Sequence, residues 1–149
     1  MKQSVLVLGA SSGIGGAVLR RLAEEGFDLI LGGRDLVELA RRASDLTVRY
    51  GTQTSTVKFD ALEPESHAAL VASCFAKVSG GLEGVILCHG AMTDGAPEQT
   101  DPKDTRRMLE TNYLGTVSVL EACASHLEER GNGWVCAISS VAGDRGRAS

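Results

Sequence analysis

VLVLGASSGIGGAVL, residues 5–19, is the stretch whose reading decides the fold. Its opening run, Val5 to Leu8, is apolar and free of charge, as expected of a strand buried on both faces at the centre of a parallel sheet. Gly9, Gly13 and Gly15 follow in the spacing G-x-x-x-G-x-G, with Ser11 and Ser12 between them. Beyond them the period changes: Ile14, Val18 and Leu22 recur every four residues, one face of a helix. A strand, a glycine-rich turn and a helix start together form a cradle for phosphate. The first N–H groups of a helix are unpaired and carry partial positive charge, and glycines let the backbone come close to a ligand. A tight turn alone would also select glycine. The strand-to-helix context is what favours phosphate binding.

The second apolar run, 27–31, comes after Gly26, which the sequence places as the C-cap of the first helix. It ends in Gly32-Gly33-Arg34-Asp35, and Leu36, Leu39, Ala40 and Ala43 then return to helical spacing. The tip of this strand is where a dinucleotide fold meets the adenosine ribose. A carboxylate there suits a free 2′-hydroxyl, and an arginine suits the 2′-phosphate of NADP. Asp35 reads as the N-cap of the next helix, which leaves Arg34 for phosphate recognition.

Further along, 54–59 is β-rich and ends at Asp60, and 65–79 reads as a helix with Val71, Phe75 and Val78 on one face. The apolar run 85–88 leads into His89-Gly90-Ala91, and 97–102 is a loop in which Asp101 caps a fourth helix. That helix carries Leu109, Tyr113, Val117, Leu120, Ala124 and Leu127 as its apolar stripe. Asn112 lies in its interior, where asparagine has poor propensity. It is either a solvated helix residue or an amide that holds a kink or a water near the site. A fifth strand, 134–138, ends at Ser139-Ser140, at the carboxyl end where α/β ligand sites form. Short buried strands alternating with helices give an α/β fold with a parallel sheet.

Composition bounds the rest. A length of 149 residues suits one domain, and a net charge of -4 with mixed signs excludes a basic nucleic-acid footprint. No apolar run approaches the ~18 residues of a membrane span. Cys74, Cys88, Cys123 and Cys136 stand singly in apolar segments, with no C-x-x-C pair and no metal-ligand spacing. They read as four reduced core thiols of a cytoplasmic protein.

Taken together, these residues carry a resemblance. The chain resembles the short-chain dehydrogenase/reductase family, in its single-domain branch, from the first residue to the last. GASSGIG (9–15) matches that branch's cofactor motif, Asp60 its adenine-facing acid, Asn112 in TNYLGT its active-site asparagine, and Ser140 in ISSVAG its catalytic serine. The resemblance implies a Rossmann-type doubly wound parallel sheet in the order 3-2-1-4-5, with NADP(H) favoured over NAD. It assigns cofactor binding to Gly9, Ser11, Ser12, Gly13, Ile14, Gly15, Arg34, Asp60, Ala61, Cys88, His89 and Gly90, and catalysis to Ser140 and Asn112. It further implies hydride transfer to or from a small carbonyl or alcohol substrate, and a homo-oligomer built through the fourth helix. No metal is implied.

The sequence departs from the family pattern at two places. Where the family usually has N-N-A-G, this chain has Cys88-His89-Gly90-Ala91; His89 is either a local replacement or a polar residue at a strand end. The family's Tyr-x-x-x-Lys, the proton donor and its lysine, would fall shortly past Ser149. Residues 1–149 are therefore expected to be an incomplete nucleotide-binding domain without turnover of its own. The part of the sheet left uncovered is expected to expose Val85, Leu87, Val135 and Ile138. The alternative is a non-catalytic nucleotide-binding module or truncated pseudoenzyme. A sugar-nucleotide epimerase is disfavoured, since that branch spaces its glycines G-x-x-G-x-x-G.

Overall fold

The computed structural model describes residues 3–79, 81–92 and 101–145. The loop expected over 97–102 falls mostly outside them. Strands β1 (Ser4–Leu8), β2 (Asp28–Gly33), β3 (Thr54–Lys58), β4 (Gly84–Leu87) and β5 (Trp134–Ala137) form one parallel sheet in the order β3-β2-β1-β4-β5. Among the described residues the α-helices are α1 (Gly13–Glu24), α2 (Leu36–Tyr50), α3 (Pro64–Lys77), α4 (Pro102–Leu109) and α5 (Gly115–Arg130). The doubly wound arrangement and its strand order are those the sequence implies.

β1 is the centre. All five of its residues are buried, because it pairs on both sides, Leu8 lying opposite Gly32 of β2 and Leu87 of β4. Its alternate side chains feed two cores. Val5 and Val7 join Leu29, Leu31 and Ile86 beneath Leu19 and Ala23 of α1 and Leu39, Ala43 and Leu46 of α2. Leu6 and Leu8 join Ile30, Val85 and Leu87 beneath Val71 and Cys74 of α3 and Val119 and Cys123 of α5. Each fully buried aliphatic side chain contributes about 1.5–3 kcal/mol, so these two layers hold the fold.

Three details correct the sequence reading. The fourth helix is not one α-helix: a π-helical turn, Glu110–Leu114, separates α4 from α5. Its extra residue per turn rotates the apolar stripe. Leu109 and Tyr113 are 56% and 64% exposed, and the buried face of α5 is Gly115, Val119 and Cys123. The uncovered sheet surface is where it was expected at Ile138 and, in part, at Val135, but not at Val85 and Leu87. Val85 and Leu87 are buried under α5, whereas Cys136 and Ile138 of the opposite parity are exposed. Cys136 is therefore no core thiol; Cys74, Cys88 and Cys123 are.

Candidate nucleotide site at the carboxyl ends of the strands

The carboxyl ends of β1 to β4 open into a cavity of about 660 Å³. Gly9, Ser11 and Ser12 of the glycine-rich turn form one wall, and Gly33 and Arg34 continue it from β2. Asp60 to Leu62 follow from the end of β3, Cys88 to Met92 from β4, and Asp104, Arg107, Met108 and Thr111 from α4 and the π turn.

The turn is built by its glycines and one serine. Gly9 has φ +82°, and a Cβ there would lie 2.6 Å from the carbonyl carbon of Cys88. Only a residue without a side chain lets β1 leave the sheet so close to β4. At Gly15 a Cβ would strike the Gly9 carbonyl oxygen. Ser12 is the N-cap of α1: its Oγ accepts the Gly15 N–H at 2.9 Å. The turn is thus held from within, and α1 begins at the cavity's edge.

At the tip of β2 the two charges divide their work as the sequence suggests. One oxygen of Asp35 accepts the N–H groups of Val37 and Glu38, both at 3.0 Å, and caps α2. Arg34 remains as the exposed charge on the cavity wall. Across the cavity, Asp60 Oδ1 accepts the Leu62 N–H at 3.1 Å, fixing the bend after β3. The backbone of this bend is anchored by a residue the sequence reading did not single out. His67, 1% exposed, donates from Nε2 to the Asp60 carbonyl at 2.9 Å and meets Ser118 Oγ of α5 at 3.0 Å through Nδ1. Gly115 completes the joint, since a Cβ on it would lie 2.6 Å from the Ala61 carbonyl oxygen.

Asn112 sits within the π turn and grips the end of β4. Its Oδ1 accepts the Ala91 N–H at 2.7 Å, and its Nδ2 donates to the Ala91 carbonyl at 2.8 Å. The side chain is exposed, and both of its amide atoms are bonded to the Ala91 backbone. π turns of this kind are frequent at functional sites.

His89 is tied to the same turn. The Thr116 hydroxyl gives its single hydrogen to the Asn112 carbonyl at 2.9 Å, so it accepts from His89 Nε2–H at 3.1 Å. The neutral ring therefore carries its proton on Nε2, and Nδ1 is a buried acceptor with no hydrogen-bond partner among the described residues. Burial, and then nearby His67, hold the His89 pKa below the ordinary imidazole value. Phe59 packs between the two histidines, 5.2 Å from each ring.

Nine of the sequence-assigned cofactor residues line the cavity: Gly9, Ser11, Ser12, Arg34, Asp60, Ala61, Cys88, His89 and Gly90. Gly13, Ile14 and Gly15 belong to the first turn of α1 instead, and Ile14 is 56% exposed. Asn112 and Ser140 are not on the cavity wall. Ser140 follows β5 with an exposed side chain, and its carbonyl accepts the Gly143 N–H at 3.0 Å. The wall from α4 was illegible in the sequence, because a polar helix face looks the same over a cavity as over solvent.

A parallel sheet crossed at β1, with a glycine turn and a helix N-terminus at the crossing, defines a dinucleotide-binding class of α/β protein. Residues 3–149 match the profile of the short chain dehydrogenase family, and the chain belongs to that family. It is 40% identical over 146 residues to an uncharacterized oxidoreductase in the mprA 5′ region of Streptomyces coelicolor, covering 97% of this chain and 57% of that one. It is 33% identical to the bovine dehydrogenase/reductase SDR family member 7B, over 93% of this chain and 44% of that one. The chain thus spans roughly half the length of these curated relatives. Among solved structures, an alcohol dehydrogenase from Thermococcus sibiricus complexed with 5-hydroxy-NADP superposes with a TM-score of 0.88 at 26% identity, covering 97% of this chain and 61% of that one. A short-chain dehydrogenase from Sphingobium yanoikuyae in complex with NADPH gives 0.84 at 28% identity, covering 95% and 55%.

Proposed function

We propose that this chain is the nucleotide-binding part of an NADP(H)-dependent oxidoreductase acting on a carbonyl or alcohol carbon. The observation that carries the reading is the division of labour at Arg34 and Asp35. The carboxylate that would meet a free ribose hydroxyl is consumed as a helix cap, and the guanidinium is left on the cavity wall. The NADP-type ligands of the two solved relatives support the same choice. The cavity fits such a group: a glycine cradle too tight for side chains, a helix start beside it, and a cation where a 2′-phosphate would sit.

In this reading the turn's N–H groups hold the pyrophosphate, Arg34 pairs with the 2′-phosphate, and Asp60 with the Ala61 backbone receives the adenine. The bound nicotinamide supplies the hydride chemistry. Asn112 fixes the backbone after β4, and Ser140 is the donor for a developing oxyanion. Tyr-x-x-x-Lys does not occur in these 149 residues, so they are expected to bind nucleotide without turning substrate over by themselves. We further propose one structural unit over residues 1–149, a cytoplasmic location in keeping with unpaired thiols, and self-association through α4 and the π turn, where Leu109, Tyr113 and Leu114 are exposed. No helix among the described residues is long and apolar enough to cross a membrane.

Titration with NADPH and NADH tests the cofactor assignment. NADPH should bind the native chain more tightly, and Arg34→Ala should erase the preference, about tenfold or more. Unchanged NADPH affinity in that variant overturns it. Carbonyl reduction by the 149-residue chain would overturn the expectation of inactivity.

A further inference from the structure

Behind the glycine-rich turn stands a guanidinium that belongs to no motif. Arg42, in the second turn of α2, is absent from the cavity wall and instead lines a groove beside Gly13, Gly16 and Leu19. Its Nη1 donates to the carbonyls of Ala10 at 2.9 Å and Ser12 at 3.0 Å, and its Nη2 to the carbonyl of Ser11 at 2.8 Å. Nε is held by Glu38 Oε1 at 2.6 Å. Three consecutive carbonyls of the turn therefore converge on one planar cation, whose side chain is only 26% exposed.

This geometry fixes the opposite side of the same peptides. In a planar trans peptide the C=O of one residue and the N–H of the next point in opposite directions. Drawing the Ala10 and Ser12 carbonyls back to Arg42 turns the Ser11 and Gly13 N–H groups forward. The intervening Ser12 N–H closes the turn on the Gly9 carbonyl at 3.0 Å. Gly13 is the first residue of α1, where N–H groups have no intrahelical partner. A cation behind these peptides also polarises them, strengthening donation in front.

A second feature interlocks with the first. Gly16 lies outside the G-x-x-x-G-x-G pattern, yet a Cβ on it would sit 2.7 Å from Arg42 Nη1. A side chain at Gly16 would displace the guanidinium from its seat on the turn. Glu38 keeps the guanidinium oriented: Arg41 and Arg42 hold its carboxyl down to about 2, so it stays an anion at any working pH.

We infer that Arg42, admitted by Gly16, is a positioning residue that aims the turn's N–H groups at a pyrophosphate, an inference that rests on reading the cavity as a nucleotide site. The pyrophosphate is common to both nicotinamide cofactors and absent from adenosine 2′-phosphate, which separates this role from that of Arg34.

The experiment titrates NADPH, NADH and adenosine 2′-phosphate into the native chain, Arg42→Gln, Arg42→Lys and Gly16→Ala. Arg42→Gln should weaken NADPH and NADH by the same factor, about tenfold, while adenosine 2′-phosphate changes by less than about twofold. Arg42→Lys keeps the charge but not the planar fork, and should restore only part of the affinity. Gly16→Ala should move affinities in the same direction with Arg42 intact, and carries the test if Arg42→Gln does not fold. Unchanged cofactor affinity in Arg42→Gln or Gly16→Ala overturns the inference. So does an equal loss for all three ligands, which would mark a purely structural residue. A native chain that binds none of the three overturns the nucleotide reading itself.

Discussion

β1 and β5 are short apolar strands of one sheet with opposite surroundings. Ser4–Leu8 is buried at every position, whereas Trp134–Ala137 is half-buried at Val135 and exposed elsewhere. β1 has a strand on each side and helices over both faces. Among the described residues β5 pairs with β4 alone, and its inner residue Val135 packs toward the α3 and α5 side. The contrast extends to the groups each strand presents at its carboxyl end. The turn after β1 is fixed by Gly9, by the Ser12 cap and by Arg42 across 30 to 32 residues of chain. Ser140 after β5 is exposed and is followed by a single 3₁₀ turn. In these residues the turn after β1 is braced, and Ser139 to Val141 after β5 are exposed.

Substitutions at the two ends should therefore differ sharply in cost. The largest effect is expected at Gly9. Alanine there meets both a positive φ and the backbone of Cys88 and His89, and should cost about 2–4 kcal/mol in urea unfolding of the ligand-free protein. A loss below about 1 kcal/mol would mean that β4 yields easily and that the turn is not the braced region.

An intermediate effect belongs to His89, on the cavity wall after β4. Its folded pKa lies below the ordinary 6.5, so protonation is easier in the unfolded chain. The stability it contributes is present above pH 6.5 and is lost as pH falls through the lower folded value. Urea midpoints followed from about pH 7.5 to about pH 5 should decline in the native chain, and decline less in His89→Phe. Identical slopes would separate His89 from acid sensitivity.

The smallest effect is expected at the other end of the comparison. Ile138 is 44% exposed, and Ile138→Ala should stay within about 0.5 kcal/mol of the native chain. A cost near that of a core truncation would show that this face is covered in solution, for example by a second copy.

How much was legible before the fold is best seen residue by residue. The glycine spacing announced the turn, because Gly9 and Gly15 answer to local steric demands that leave the same trace in any chain. Asp35 and Asp101 could be placed as helix caps for the same reason, since a cap bonds to N–H groups two or three residues on. Asn112 could be singled out as odd, but its partner Ala91 lies 21 residues away, and no periodicity reveals a pairing of that range. Arg42 looked like any charge on a solvated helix face, and Gly16 like a spare glycine. Each acquires its meaning only from the other.

By itself, then, the sequence determined the strand and helix order, the parallel sheet, the glycine-rich turn and the cation at the tip of β2. Those features depend on period, capping and backbone sterics, which act over a few residues. Tertiary structure alone decided that the fourth helix breaks into a π turn and that Val85 and Leu87 are covered while Cys136 is not. It also decided that His67, Gly115 and Arg42 brace the cavity from behind. These outcomes depend on which face of one element meets which face of another, and that is set by packing across the sheet.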